Sequence, residues 1–325
     1  MKLLIKGMLC ASLVVSCVMA TENVKTETKV PVEVKKHTAD IEIFTSANSD
    51  GKITPKSIEA AFKKAGFTVS ANRDMNGPFL KQFKASGFVT YNLFTFYKKD
   101  VVLELVKKYP NVGLFAPMSM SIYTKKGDSS ISVSSLTAEA MAKIMQVPSD
   151  DKTLHDLRKL VKETLKSIMP NGTFEKPTYD TQVAKGKLVT HFSMEIDPED
   201  WDDELEEFKM GFEGELAPKG FVLAGFNNLG DEFEEANYEA YDFYEVYSIC
   251  KLPVIYTIAK HRPEAGAYAP CSLYLSKKKN DNIVNIGFPS VYNWISSMNI
   301  NDTEDIQVLE KAQMDMMTIL KSLTE

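Results

Sequence analysis

Apolar residues recur at helical spacing in two distant places: Leu154, Leu157, Val161, Leu165 and Ile168, then Ile306, Leu309, Met316, Leu320 and Leu323. Each set predicts an amphipathic helix. Strand-like runs open two comparable stretches, Ile41 to Phe44 and Leu188 to Phe192. A helix start is expected after each run, at Thr54-Pro55 and at Asp197-Pro198. Thr or Asp can cap the free N–H groups there, and Pro suits the first helical position. Each helix is expected to end near a glycine, Gly66 or Gly220, which tolerates the left-handed conformation. The order then reads strand, helix, strand, loop, strand, helix, strand, strand, helices, and it occurs twice.

The two stretches align as copies. Tyr91 to Tyr123 lies on Tyr244 to Ser276 without gaps, at a constant offset of 153. Nine of the 33 positions are identical: Tyr91/Tyr244, Lys98/Lys251, Val101/Val254, Lys107/Lys260, Pro110/Pro263, Gly113/Gly266, Ala116/Ala269, Pro117/Pro270 and Ser119/Ser272. Upstream, Gly66-Phe67 matches Gly220-Phe221 with a one-residue difference in the following loop. The mixed order favours an α+β class over a regular parallel sheet. We expect two tandem duplicated two-layer α/β sandwich units, 40–169 and 187–325, related by a pseudo-twofold axis. Residues 170–186, rich in Pro, Gly and Thr, form the expected linker.

The first 20 residues read as an export signal, with Lys2 and Lys6 before an apolar stretch and Val18-Met19-Ala20 as a cleavage site. Val14-Val15-Ser16-Cys17 also reads as a lipobox, which would lipidate Cys17 after removal of residues 1–16. Either reading places the protein in the periplasm, soluble or lipid-anchored, with 21–39 as a polar flexible tether. Net charge is −6, and no basic stripe with aromatics is present, so nucleic acid is not an expected partner. No stretch after residue 20 is long and apolar enough to span a bilayer.

Only two of the four cysteines, Cys250 and Cys271, lie beyond the leader. Their counterparts in the first copy are Tyr97 and Met118. Three readings stay open for the pair. A disulfide would suit an oxidising compartment and could contribute about 3 kcal/mol. Two buried free thiols would simply pack. A redox or soft-metal site would recruit Met118 and Met120 as further donors. The histidines form no constellation, and no metalloprotease, nucleophile-elbow or phosphate-loop motif is present. Enzymatic activity therefore has no motif behind it, and no cofactor is indicated.

Among the shared positions, Lys98 and Lys251 stand before a helix start, a place suited to an anion. Ser119 and Ser272 follow the Pro117 and Pro270 steps, and Gly113 and Gly266 fit a turn. These residues suit either a repeated framework or a small-ligand pocket.

The string Tyr247-Ser248-Ile249-Cys250-Lys251, with Pro263-Glu264-Ala265-Gly266 and Ala269-Pro270-Cys271-Ser272, resembles the domain-of-unknown-function family 302. The first copy keeps the turn and Ala-Pro but lacks both cysteines. The resemblance implies a compact α/β sandwich that often dimerises, in an exported tandem member of proteobacterial type. It implies no settled activity. The expected function is non-catalytic binding of a small ligand or an envelope protein. The alternative is a thiol-based redox or soft-metal role centred on Cys250 and Cys271.

Overall fold

The computed structural model describes residues 39–325. The export signal, Cys17 and nearly all of the tether lie outside the described residues. The first unit runs β1 (Ile41–Ala47), α1 (Pro55–Lys64), β2 (Thr68–Asp74), α2 (Asn76–Phe83), β3 (Phe88–Tyr97), α3 (Lys99–Lys108), a 3-10 turn, β4 (Met118–Lys125), β5 (Ser130–Leu136), α4 (Ala138–Met145) and α5 (Lys152–Ile168). A short strand, β6 (Thr173–Glu175), follows. The second unit repeats the order as β7 (Val189–Glu195), α6 (Trp201–Leu216), β8 (Val222–Asn228), α7 (Leu229–Glu235), β9 (Tyr241–Cys250), α8 (Leu252–His261), a 3-10 turn, β10 (Cys271–Lys278), β11 (Ile283–Pro289), α9 (Tyr292–Ser297) and α10 (Thr303–Thr324).

Each unit is an antiparallel sheet under helices. The strand orders are β2-β3-β4-β5-β1-β6 and β7-β11-β10-β9-β8. Matching β1 with β7 through β5 with β11 makes the two topologies the same. The class is α+β with duplicated two-layer units, as the pattern of elements implied.

Local signals explain most boundaries. Thr54 caps α1 by accepting from Ser57 N, and Ser57 returns the bond to Thr54 N. Gly66 and Gly220 take φ values of 83° and 75° just past α1 and α6. Two expectations shift. Asp197-Pro198 does not open α6; the chain turns first, with Asp200 N donating to Asp197 O, and the helix starts at Trp201. The loop expected before the third strand holds the helices α2 and α7. Part of the expected linker also joins the first sheet, because β6 pairs with β1 and Phe174 stacks on Phe44 at 4.2 Å.

The faces of β3 divide by alternation. Phe94 and Phe96 meet Phe62 of α1 at 5.4 and 4.8 Å between ring centroids. Tyr91, Leu93, Thr95 and Tyr97 alternate with them and face the second unit. There Tyr91 Oη donates to Pro263 O at 3.0 Å, and Tyr244 Oη donates to Pro110 O at 2.8 Å. Ser119 Oγ donates to Pro270 O and Ser272 Oγ to Pro117 O, both at 3.3 Å. The Ala116–Pro117 and Ala269–Pro270 bonds are both cis. Reciprocal pairs of this kind are the signature of a twofold relation between the units. The described residues pack as one compact body.

Candidate functional site

Cys250 ends β9 and Cys271 begins β10, side by side in an antiparallel pair in which Cys271 faces Ile249. Both are free thiols. They line a cavity of ≈ 60 Å³ between the second sheet and its helices, walled by Phe221, Val254, Trp294 and Leu309. Polar groups in this wall are already engaged. Gln313 Oε1 accepts from Val291 N, and its Nε2 donates to Thr190.

Burial pushes the Cys250 thiol up to about 12, with the neighbouring Cys271 adding to the shift. Burial likewise pushes Cys271 up to about 12; its thiol is surrounded by protein although the residue as a whole keeps some exposure. Cys271 Sγ lies 3.7 Å from Tyr268 O and donates to it. Reactive cysteines show the opposite environment, with neighbours that lower the thiol. These two are protonated at neutral pH.

A second, smaller cavity of ≈ 30 Å³ adjoins Cys271 and brings together Met118, Ser119, Pro270 and Ser272. Five of the residues singled out from the sequence therefore meet at the unit boundary. The serines are engaged there as described, each donating to a proline carbonyl of the other unit. Among the described residues, no three of His, Cys, Asp and Glu come together as a metal site. Met118 and Met120 are buried in β4.

The lysines have partners. Lys98 Nζ pairs with Asp100 at 3.0 Å. Lys251 Nζ pairs with Asp315 at 2.5 Å and lies over the Phe221 ring at 4.6 Å. Each stands at the start of a helix, but a carboxylate already occupies the place where an anion would sit. Burial works against the charged form of Asp315, yet hydrogen bonds from Lys251 and Lys311 outweigh it and hold the carboxyl below its ordinary value.

The shared glycines have a role that spacing did not reveal. A Cβ on Gly113 would lie 2.5 Å from Tyr274 Cβ, and one on Gly266 would lie 2.5 Å from Ser121 Cβ. Close approach between units requires glycine here, rather than turn geometry. Gly113 N also donates to Tyr244 Oη at 2.9 Å. Pairwise identity between the copies was the available signal, since most of the identical positions from Pro110 to Ser119 build this contact.

The family described as a domain of unknown function, DUF302, matches residues 44–170 and 201–323. The chain belongs to the DUF302 family. Its two matches coincide with the two structural units, so this is a tandem DUF302 protein. A solved DUF302 structure, an uncharacterised conserved protein from Bacillus stearothermophilus, is similar over 43% of this chain and 100% of its own. Identity there is 13% and the TM-score 0.36, too low to add to the fold argument. Among curated proteins, none matches the chain.

Within this tandem DUF302 chain the two units differ at the cysteine positions. Tyr97 stands where the second unit has Cys250, and its Oη donates to Glu232 of α7 at 2.5 Å. The first unit fills with a phenol ring the place that the second leaves to a thiol.

Proposed function

We propose that this tandem DUF302 protein is a non-catalytic binding protein of the cell envelope. The second unit takes a small uncharged ligand beside Cys250 and Cys271, and the first unit serves as its structural partner. One observation carries the reading: apolar space lies beside the two cysteine positions, where the first unit has the larger Tyr97 and Met118. A mostly apolar site with few polar groups suits a neutral ligand. Protonated thiols and charge-paired lysines fit the same ligand class. The envelope address follows from the leader, read either as an export signal or as a lipobox at Cys17.

The test is a thermal-shift screen of small uncharged molecules against the full chain and against Cys271→Met. Cys271→Met copies the first unit and reduces the cavity. A ligand that raises the melting temperature of wild type supports the reading, and loss of that effect in the variant would assign it to the cavity beside Cys271. A screen with no hit sinks it. The address is tested by intact mass of the protein from its native envelope, which should begin at Thr21 or at a triacylated Cys17.

A thiol-based redox or soft-metal role is the second reading, favoured by the two thiols on one cavity wall. It requires that Cys250→Ser or Cys271→Ser abolish redox cycling or uptake of a soft metal ion without unfolding the protein.

A further inference from the structure

The two sides of the unit boundary differ at three corresponding positions. On one side, Glu232 accepts from Tyr97 Oη at 2.5 Å and pairs with Lys99 Nζ at 3.1 Å. The offset of 153 places Cys250 opposite Tyr97 and Leu252 opposite Lys99. Glu232 directly precedes Phe233, whose ring meets Tyr244 at 5.6 Å; Pro78 directly precedes Phe79, whose ring meets Tyr91 at 5.8 Å. Pro78 is thus the counterpart of Glu232. The hydrogen-bonded polar trio Tyr97, Lys99, Glu232 becomes the trio Cys250, Leu252, Pro78, without charge and without the ring.

Those three residues line one cavity of ≈ 230 Å³ between β2 and β8, together with Leu93, Thr95 and Pro270. Thr95 is 1% exposed, and its Oγ1 has no hydrogen-bond partner. A buried hydroxyl without a partner pays its desolvation uncompensated, and a ligand that pairs with it would remove that cost. Charged groups at the cavity cancel in sign, as Arg73 and Asp74 both reach its lining. An apolar cavity of roughly 150 Å³ is large enough for benzene.

We propose that this inter-unit cavity binds a small uncharged molecule with one apolar ring and one hydrogen-bonding group, of the size of phenol. The ring lies against Cys250, Leu252 and Pro78, in the place that corresponds to the Tyr97 phenol. The polar group pairs with Thr95 Oγ1. The assignment rests on the binding reading above for its ligand class and seats the ligand on the inter-unit side of Cys250, in a cavity that Cys271 does not line.

The experiment titrates phenol and toluene into the full chain by calorimetry, for wild type, Cys250→Tyr, Thr95→Val and Cys271→Met. Wild type and Cys271→Met should bind phenol alike. Cys250→Tyr, which restores the ring of the first unit, should weaken phenol at least tenfold. Thr95→Val should weaken phenol about fivefold to tenfold and leave toluene unchanged, as the loss of one hydrogen bond. If Cys250→Tyr does not fold, Cys250→Met provides a smaller filling group and should weaken phenol to a lesser degree. Phenol binding unchanged by either Cys250 variant overturns the proposal. Phenol lost in Cys271→Met but kept in the Cys250 variants moves the site to the cavity inside the second unit, so the inter-unit proposal falls while the binding reading stands. No phenol binding to wild type also overturns the proposal, and the wider screen then decides the binding reading alone.

Discussion

Tyr244 Oη donates to Pro110 O at 2.8 Å and accepts from Gly113 N at 2.9 Å, tying the second unit to the turn after α3 of the first. Tyr91 makes the reciprocal bond to Pro263 O at 3.0 Å. Both phenols are fully buried. Tyr244→Phe would strand an N–H and weaken a carbonyl in a dry interface. We expect a loss of about 1–3 kcal/mol in denaturant unfolding, with Tyr91→Phe similar. Unfolding curves that match wild type would show that the interface does not depend on these bonds.

Gly113→Ala should destabilise the protein even though alanine loses less backbone entropy than glycine on folding. The added Cβ meets Tyr274 Cβ at 2.5 Å and the Tyr244 ring at 3.0 Å, and a Cβ moves only with its backbone, unlike the end of a flexible side chain. Overpacking of this kind costs about 1–3 kcal/mol. Chemical denaturation of the alanine variant measures it, and a stabilised variant would contradict the close contact.

Tyr97→Cys copies the second unit's residue into the first. It removes a buried ring and its bond to Glu232. Removal of a buried aromatic side chain costs about 3–5 kcal/mol, and the remaining thiol offsets only part of that. A melting temperature equal to wild type would mean that Tyr97 does not fill its side of the boundary.

The thiols make a pH prediction. Both are pushed up to about 12 in the folded protein, against an ordinary value of 9.0. A raised folded value favours the protonated folded state, so its contribution is fully present below pH 9 and is lost as pH rises towards 12. Native alkylation at pH 7 to 9 should therefore be slow and should become fast on unfolding. Rapid alkylation of the native protein at neutral pH would favour the redox reading instead.

Asp315 acts at the other end of the scale. Its folded value lies below the ordinary 3.8, because hydrogen bonds from Lys251 and Lys311 overcome the effect of burial. Its contribution is fully present above the ordinary value of 3.8 and is lost as pH falls from there through the lower folded value. Stability should therefore fall less steeply with acid in Asp315→Asn than in wild type. Parallel acid limbs would show that the ion pair with Lys251 contributes nothing.

Much of the architecture was legible because a duplication writes the same signals twice. The helix-period patterns of α5 and α10, the Thr54 cap and the two glycine exits all appear at their places. α2 and α7 were not legible, since they are short and their apolar positions serve contacts with the tyrosines of the adjacent strand, Phe79 with Tyr91 and Phe233 with Tyr244. Asp197-Pro198 misled because its side chain serves a turn before α6. At the candidate site, the exceptional status of Cys250 and Cys271 was readable from the difference between copies. What surrounds them was not, because Thr95, Pro78 and Leu252 reach the same cavity only through the packing of one unit on the other. The lysines show the converse. Spacing put them at helix starts, but only the folded structure reveals the carboxylates that hold them.

The central claim is that divergence of the second unit opened a site for a small uncharged ligand. The most direct measurement is a crystal structure with 4-bromophenol, located by the anomalous signal of bromine. We predict bromine in a cavity bordered by Cys250 and none beside Tyr97. Bromine absent from every cavity bordered by Cys250 or Cys271, in crystals grown at saturating ligand, would contradict the account.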